Sequence, residues 1–435
     1  MRVAFRTLGC KVNQFETGAL ERLFFARGHE ITSWDDEADA YVINTCTVTA
    51  VSDGKSRQAI RGVKRIHPDA VTAVCGCLGQ NDPEALLAVG ADLVVGTGDR
   101  LGFVARVEET VRSGGRMVAV TDAAEHKDYE TLPAGGVAGR TRALLKAQDG
   151  CDNYCTYCII PHVRGPVRSL PVCDAGAEAA RLEAEGFKEI VLTGIELSSY
   201  GRDLPGETGL AELIEAICRA APGTRIRLGS LEPRVVTGLL AMRLAALPNL
   251  CPHFHLSLQS GCDQTLARMG RKYNTTKYSE ALHTLRQVFP GCAVTTDLIV
   301  GFPGETEAEF ERTIGYVETC SFAAMHVFPY SRRAGTPAAS FSGQIAQEVK
   351  RDRAARAAML AGEMTQAYAQ SCVGRVVQVL FEEQATDGAR GHAENYRPVV
   401  CPDANGSVLR GQVCPVRITG VRKGTLIGRP EGLLR

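Results

Sequence analysis

The sequence predicts a multi-domain α/β protein with a parallel-sheet N-terminal domain, a partial or complete (β/α) barrel and a small C-terminal antiparallel β-barrel. Three observations predict this organisation. The chain has 435 residues, too many for one compact core. Strand-like and helix-like segments alternate over most of its length, as in parallel sheets covered by helices. The last part instead contains short β-prone runs separated by Gly, Pro, Asp and Asn, a pattern typical of a small barrel.

Composition narrows the class of protein. Hydrophobic residues make up 45% and charged residues 23% of the chain, which is ordinary for a globular protein. No apolar window approaches the roughly 18 residues of a membrane span, and the N-terminus lacks the pattern of a secretory signal. We therefore expect a cytoplasmic protein with no membrane partner. The formal net charge is zero, so any site for nucleic acid must be a local basic patch.

The predicted domains follow the segment pattern. Residues 1–112 form the first domain, with strands at 3–8, 40–45, 71–75 and 93–96 and helices at 15–27 and 56–66. Residues 113–142, rich in Gly and charged residues, are predicted to be a linker. Residues 143–370 form the barrel, with strands at 144–147, 189–193, 225–229, 253–257, 293–300 and 325–328 and a long helix at 345–370. Residues 371–435 form the third domain, with strand-like runs at 376–381, 396–400 and 411–418.

The sixteen cysteines are the most informative feature, because a reducing compartment favours metal ligation over disulfides. Cys151, Cys155 and Cys158 form a C-x3-C-x2-C run just after a predicted barrel strand. Three thiolates on one loop can hold three irons of a four-iron cluster and leave the fourth iron open for another ligand. The alternative is a zinc knuckle or chance clustering, although tetrahedral zinc sites use a different spacing.

A second group of cysteines lies in the first domain. Cys10, Cys46 and Cys77 each come at or just beyond the carboxyl end of a predicted strand. These ends converge on one edge of a parallel sheet, so the three thiols can become neighbours there. On spacing alone, small buried hydrophobic side chains are an equal alternative.

Further along the barrel, glycine-containing turns end two predicted strands, at residues 193–196 and 297–305. Glycine there allows close approach of the backbone to a ligand at the edge where barrels keep their sites. Gln259 falls at a similar strand end. Taken alone, such turns are also typical of ordinary βα loops.

The Cys151–Cys158 run resembles the cluster loop of the radical S-adenosylmethionine (SAM) superfamily. The resemblance implies that Cys151, Cys155 and Cys158 bind a 4Fe-4S cluster whose open iron is chelated by SAM, which is cleaved to a 5′-deoxyadenosyl radical. Tyr157 occupies the aromatic position that the superfamily places beside the cofactor. The strand ends that carry Gly194, Glu196, Gln259 and Asp297 resemble the SAM-contacting ones.

Three further motifs resemble the methylthiotransferases, a radical SAM subfamily with an auxiliary cluster in its first domain. They are Leu8-Gly9-Cys10-Lys11-Val12-Asn13-Gln14, Asn44-Thr45-Cys46-Thr47-Val48 and Gly76-Cys77-Leu78-Gly79-Gln80. The resemblance implies a second 4Fe-4S cluster on Cys10, Cys46 and Cys77. Cys75 is an extra thiol, but Cys77 keeps the subfamily's Gly-Cys-x-x-Gln frame.

The match covers nearly the whole chain, and its last part resembles the RNA-binding TRAM domain. From residue 374 onward, nine Arg plus Lys against six Asp plus Glu leave a net charge of +3, which suits phosphate contact.

The subfamily resemblance implies a function. The Gly9–Gln14 and 192–196 segments look most like bacterial enzymes that insert a methylthio group at C2 of N6-threonylcarbamoyladenosine in tRNA, next to the anticodon. The partners implied are the tRNA anticodon stem-loop and an electron donor such as flavodoxin or ferredoxin, with an unidentified sulfur source. SAM would serve both as methyl donor and as radical source, and no side chain is assigned acid or base catalysis. Alternatives are an isopentenyladenosine or ribosomal-protein methylthiotransferase, a cobalamin-binding methyltransferase and a non-catalytic iron–sulfur RNA-binding protein.

Overall fold

The computed structural model describes residues 1–135, 141–206 and 208–431. Residues 136–140 of the expected linker, with Gly136 of its Gly135-Gly136 pair, and residues 432–435 at the end of the expected third domain fall outside the described residues. Within the described ranges, no helix has both the length and the apolar character that a bilayer crossing requires.

The N-terminal domain is a parallel sheet with helices on both faces. Its strands are β1 (Arg2–Thr7), β2 (Glu30–Thr32), β3 (Ala40–Thr45), β4 (Val71–Gly76), β5 (Leu93–Val95) and β6 (Met117–Ala119). Its helices are α1 (Lys11–Ala26), α2 (Ala50–Ile66), α3 (Cys77–Asn81), α4 (Pro83–Ala88) and α5 (Arg100–Ser113). The strand order is β2-β1-β3-β4-β5-β6. The sheet therefore runs past residue 112, because β6 lies in the segment expected to be a linker.

The two faces of this sheet carry different helices. Leu20 and Phe24 of α1 pack with Phe103 of α5 in the core on one face. Ile60 of α2 packs with Leu86 of α4 in the core on the other face. Every residue of β3 and β4 is buried, as expected for strands covered on both sides. The chain thus changes faces between the helix after β1 and the helix after β3.

The second domain is an open half-barrel. Its strands are β7 (Arg142–Asp149), β8 (Arg168–Ser169), β9 (Glu189–Gly194), β10 (Arg225–Leu228), β11 (Ser230–Leu231), β12 (His253–Leu256), β13 (Ala293–Val300) and β14 (Ala324–Pro329). Its helices are α6 (Ile160–Arg164), α7 (Val172–Ala184), α8 (Leu210–Ala220), α9 (Gly238–Ala245), α10 (Asp263–Arg268), α11 (Thr275–Val288), α12 (Glu307–Cys320) and α13 (Gln347–Ser371). The strands form two sheets, ordered β10-β9-β7-β8 and β11-β12-β13-β14. Only Gly229 separates β10 from β11, so the two sheets continue one curved wall.

The concave face of this wall is open. Along β13, Thr296, Leu298 and Val300 are buried, whereas Asp297 and Ile299 are partly exposed. Successive strand residues point to opposite faces, so the partly exposed set lines the lumen and the buried set faces the helices. The helix α1 of the first domain packs against β7 and β9. The first domain therefore adjoins the half-barrel.

The third domain is a closed barrel that follows α13. Its strands are β15 (Val376–Ala385), β16 (Gly388–Ala393), β17 (Pro398–Cys401), β18 (Val413–Arg422) and β19 (Thr425–Pro430), with the short helix α14 (Gly406–Leu409). The order around the barrel is β15-β16-β17-β19-β18. The sequence pattern had indicated neither β16 nor β19.

One buried and one partly buried arginine attach this barrel to the half-barrel. Arg227 donates a hydrogen bond to the carbonyl of Glu394 at 2.8 Å, and Arg225 donates one to the carbonyl of Gln378 at 3.0 Å. Glu189 accepts hydrogen bonds from both arginines. Glu189 and Arg225 begin β9 and β10, so the third domain lies at the amino ends of these strands, opposite their carboxyl ends.

Candidate iron–sulfur and cofactor sites

The three predicted ligands of the first domain all follow adjacent strands. Cys10 lies three residues after β1, whereas Cys46 directly follows β3 and Cys77 directly follows β4. The strands β1 and β3 are neighbours, but the helices that follow them cover opposite faces of the sheet. Where neighbouring strands lead to opposite faces, a crevice forms at the carboxyl edge of the sheet. Cys46 and Cys77 are buried and Cys10 is exposed. The sheet topology therefore brings the triad to one crevice.

Local backbone conformation brings the first two motifs together. Gly9 has φ +118°, and a Cβ at this position would lie 2.8 Å from the Cβ of Cys46. Only glycine allows this approach without displacement of the second motif. The side-chain amide of Asn13 donates to the carbonyls of Leu8 at 3.1 Å and Thr45 at 2.8 Å. Asn13 thus joins the loop after β1 to the end of β3.

The neighbouring thiols Cys75 and Cys77 have different surroundings. Cys75 lies within β4, and its side chain belongs to the apolar core of the first sheet. Cys77 begins α3, and its side chain packs against Ile159 and Val163 of the second domain. Cys77 therefore lies at the boundary between the domains, whereas Cys75 lies inside the first domain.

The second triad lies on the loop that follows β7. The backbone N–H of Cys151 donates to the carbonyl of Gly165 at 3.1 Å, and that of Cys158 donates to the carbonyl of Cys155 at 2.9 Å. Thr156 fixes the middle of the loop, because its N–H donates to the carbonyl of Met269 at 3.0 Å. The loop is thus held from both ends and from its centre.

Both triads have a donor set that suits an iron–sulfur cluster. Each provides three thiols, the ligands that such clusters take. Burial raises the pKa of the thiols of Cys77, Cys151 and Cys158 to about 12, so their thiolates need nearby positive charge, which cluster iron supplies. In the described parts of the chain, no three His, Cys, Asp or Glu side chains meet closely enough to hold a single metal ion. Arginine donors already contact Cys77 and Cys155.

Three of the predicted SAM-binding residues lie near the second triad. Tyr157 is part of the loop itself and packs edge-on against Phe302, with ring centroids 6.3 Å apart. Gly194 ends β9. Glu196 follows it and accepts a hydrogen bond from the backbone N–H of Ser198 at 3.1 Å. Burial, together with the nearby carboxylate of Glu232, raises the pKa of Glu196.

The other two predicted SAM-binding residues are neighbours across β12 and β13. Gln259 has φ +68°, an uncommon conformation for a side-chain-bearing residue. Its N–H donates to the carbonyl of Asp297 at 2.9 Å, and its own carbonyl accepts from the N–H of Ile299 at 2.9 Å. Asp297 lies inside β13, three residues before its end, and its carboxylate is 3.3 Å from Nε2 of His255. The side chain of Asp297 therefore lines the lumen, and the backbone of Gln259 lies beside it.

A buried arginine that the sequence reasoning left without a role contacts the second triad. Arg271 donates to Sγ of Cys155 at 3.2 Å and to a carboxylate oxygen of Glu232 at 3.1 Å. Glu232 lies just after β11 and has no sequence signal of its own.

Buried ion pairs join the first two domains. Arg333, which follows β14, donates to Thr47 at 2.6 Å and to Asp53 at 2.7 Å. Arg164, at the end of α6, pairs with Glu16 of α1. Both arginines are buried, as is Arg168, whereas Arg332 is exposed. Of these four, only Arg332 presents its side chain to solvent.

Comparison with known proteins identifies the family. Residues 145–317 match the radical SAM superfamily, and residues 2–96 match the Uncharacterized protein family UPF0004. The chain is 39% identical over 422 residues to threonylcarbamoyladenosine tRNA methylthiotransferase MtaB of Bacillus subtilis (strain 168), covering 96% of this chain and 93% of that relative. The chain belongs to the radical SAM methylthiotransferase family.

Another member is more distant. The tRNA-2-methylthio-N(6)-dimethylallyladenosine synthase of Symbiobacterium thermophilum is 34% identical over 443 residues, covering 98% of this chain and 94% of that relative. Among solved structures, the radical SAM methyltransferase TsrM from Kitasatospora setae has a TM-score of 0.55 at 13% identity, covering 87% of this chain and 80% of that chain. That likeness confirms the predicted fold of this methylthiotransferase.

Two aromatic residues of the third domain have partners within this methylthiotransferase. Phe381 is fully buried in the core of the third domain. Tyr396 lies under the guanidinium groups of Arg142 and Arg227, which are 5.6 and 4.6 Å from its ring centroid. Neither ring is free on the surface to stack on RNA.

Proposed function

We propose that this methylthiotransferase inserts a methylthio group at C2 of N6-threonylcarbamoyladenosine in tRNA, next to the anticodon. The Bacillus subtilis threonylcarbamoyladenosine tRNA methylthiotransferase, at 39% identity, supports this substrate over the dimethylallyladenosine of the relative at 34% identity. One structural observation carries the chemistry. Two cysteine triads lie at the carboxyl edges of adjoining parallel sheets, in domains joined by buried ion pairs.

In this proposal, Cys10, Cys46 and Cys77 hold an auxiliary 4Fe-4S cluster, and Cys151, Cys155 and Cys158 hold the cluster that binds SAM. The bound cofactors would supply the sulfur, the methyl group and a radical able to activate the weakly acidic C–H bond at C2. The chain provides position and charge. Arg271 stabilises the thiolate of Cys155, and Glu232 fixes the guanidinium that does so.

The walls of the half-barrel are proposed to bind SAM. Gly194 lets a ligand approach the backbone at the end of β9. Glu196, Gln259 and Asp297 place polar groups on the lumen side, and Tyr157 with Phe302 forms an apolar wall beside the cluster loop. The neighbouring first domain would exclude water from the lumen, which protects a radical from side reactions.

Lys11 gives a physical reason for the threonylcarbamoyl substrate. The side chain adjoins Cys10 in the first turn of α1 and is partly exposed. No hydrogen bond or ion pair engages its ammonium among the residues that the structure describes. The threonylcarbamoyl group carries a carboxylate and is attached at N6, and C6, which bears N6, flanks the same ring nitrogen as C2. An ammonium on the residue that follows Cys10 therefore suits this anion, whereas a dimethylallyl group offers it no charge.

The remaining partners follow from the substrate. The third domain is proposed to bind the anticodon stem-loop through its local basic excess and not through aromatic stacking. Flavodoxin or ferredoxin is proposed as the electron donor and the cytoplasm as the location.

Mass spectrometry of tRNA nucleosides from cells that lack this protein tests the substrate. We expect 2-methylthio-N6-threonylcarbamoyladenosine to disappear while its unthiolated precursor accumulates. Loss of a dimethylallyladenosine derivative instead would assign the activity of the more distant relative.

Cysteine variants test the division of labour between the clusters. Cys155→Ala should abolish formation of 5′-deoxyadenosine and leave the first-domain cluster in place. Cys46→Ala should retain 5′-deoxyadenosine formation and stop thiolation. If reconstituted Cys46→Ala protein still made the methylthio product, the auxiliary-cluster assignment would be wrong.

A further inference from the structure

Arg164 extends from the segment after the second triad to the cysteines of the first triad. It ends α6, six residues after Cys158, and its side chain is fully buried. Its Nε donates a hydrogen bond to Sγ of Cys77 at 3.4 Å. One of its terminal nitrogens donates to Oδ1 of Asn13 at 3.1 Å, and Sγ of Cys10 lies 3.4 Å from the same oxygen. A single guanidinium from the second domain thus contacts Cys77 directly and reaches Cys10 through Asn13.

The orientation of Arg164 is set by two buried carboxylates. Its guanidinium donates to Glu16 through both terminal nitrogens, one of them at 3.2 Å, and lies 3.4 Å from Asp149. Arg100 and Lys146 approach Glu16 as well, at 3.3 and 3.7 Å. The planar, permanently charged guanidinium can satisfy a sulfur, an amide and a carboxylate at once, which an ammonium cannot do with the same geometry.

We propose that Arg164 is a positioning residue that tunes the auxiliary cluster through its hydrogen bond to Cys77 and that fixes the first domain against the loop of the second cluster. This inference rests on the proposed role of Cys77 as a ligand. Hydrogen bonds to ligand sulfurs and local net charge set the reduction potential of iron–sulfur clusters. A positive donor at Cys77 stabilises the more negative, reduced state, so it raises the potential.

Glu16 makes an opposite contribution. Its buried carboxylate binds the terminal nitrogens of Arg164, whereas Nε of Arg164 faces Cys77. The negative charge of Glu16 therefore partly cancels the positive potential of the guanidinium at Cys77. The neutral isostere Glu16→Gln leaves Arg164 in place with Asp149 as its partner. Removing a negative charge near the cluster should therefore raise the potential, whereas loss of the Arg164 donor should lower it.

The experiment uses full-length protein carrying Cys151→Ala, Cys155→Ala and Cys158→Ala, so that only the auxiliary cluster assembles. Redox titration monitored by electron paramagnetic resonance gives the midpoint potential in this parent protein and in its variants. Arg164→Lys places a methylene where the Nε donor lies and should shift the potential to more negative values. Glu16→Gln should shift it to more positive values.

Arg168→Lys is the matched control. Arg168 is also buried and lies 3.7 Å from Asp149, but its hydrogen bonds go to backbone carbonyls and not to a cysteine. The reduction potential of the cluster in Arg168→Lys should equal that in the parent protein. If Arg164 had a merely structural role, the midpoint potential would stay unchanged in Arg164→Lys and Glu16→Gln, or it would shift in the same direction in these two variants and in Arg168→Lys.

Opposite shifts for Arg164→Lys and Glu16→Gln support the inference. Unchanged potentials in both variants overturn it and leave the two-cluster proposal standing. If Arg164→Lys does not fold, the sign of the shift in Glu16→Gln decides. Failure of the parent protein, with Arg164 intact, to assemble any cluster overturns the proposed function and this inference together.

Discussion

The attachment of the third domain depends on the charge of one buried carboxylate. Burial alone would raise the pKa of Glu189, but Arg227, Arg225 and Arg142 lower it from 4.5 to about 2. At roughly 1.4 kcal/mol per pKa unit, this shift corresponds to ~3 kcal/mol of folding free energy. Because the folded-state pKa is depressed, this stabilisation is present in full above pH 4.5 and is lost as the pH falls toward 2.

Glu189→Gln tests this value. Urea unfolding of the metal-free protein, followed by circular dichroism, gives the free energy of unfolding from pH 7 down to about pH 2.5. We expect the variant to be less stable than the wild type at pH 7, and the difference to shrink by up to ~3 kcal/mol as the pH falls. Taking the difference between the two proteins cancels the titration of all other carboxylates.

The matched control is Glu212→Gln. Glu212 also pairs with an arginine, Arg243, but the two side chains are 41% and 32% exposed. Such surface pairs contribute about 0–1 kcal/mol, so this variant should follow the wild-type profile. A stability difference between wild type and Glu189→Gln that stays constant across the pH range would refute the reasoning.

Two further predictions concern the cluster loop and the substrate. Gly150 has φ +72°, and a Cβ there would lie 1.7 Å from the carbonyl oxygen of Pro166, whereas Gly186 has φ +92° and open space around it. In urea unfolding, Gly186→Ala should lower the free energy of unfolding by about 1 kcal/mol, and Gly150→Ala should lower it several times more. Iron analysis should show that Gly150→Ala also loses the iron proposed to bind at Cys151. Lys11→Gln should weaken binding of a threonylcarbamoyl-modified stem-loop about tenfold, equivalent to roughly 1.4 kcal/mol, and leave a dimethylallyl-modified one unaffected in fluorescence anisotropy. Equal weakening of both would contradict the proposed carboxylate contact.

Most strands of the first two domains could be predicted because their burial is encoded locally. The runs Ala40–Thr45 and Ala293–Val300 have the predicted bounds. The strand β6 could not be predicted, since it is a three-residue edge strand with two exposed residues and therefore shows no burial pattern. The strand β16 contains Gly, Ala, Arg and His without a β-branched residue. Its conformation comes from barrel closure and not from local propensity.

The sequence predicted the second-domain triad from its C-x3-C-x2-C spacing, and it predicted the first-domain triad from positions after strands together with the resemblance to the methylthiotransferases; both ligand assignments stay predictions. The surroundings of the cysteines could not be found in this way. Arg164, Arg168 and Arg333 lie in the interior, and the sequence does not distinguish them from arginines that could contact RNA. Exposed and buried arginines look alike in a sequence that lacks a clear periodic pattern around them.

The sequence by itself determined which thiols are candidates for iron, since the type and local spacing of Cys151, Cys155 and Cys158 already predict a three-thiol loop. It also determined the order of domains through hydrophobic periodicity. Only the tertiary structure decided which buried charges pair between the first two domains. Glu16 and Arg164 are separated by 148 positions and Asp53 and Arg333 by 280. No local pattern pairs such residues, because buried ion pairs form only where the packing of whole domains excludes water from both partners.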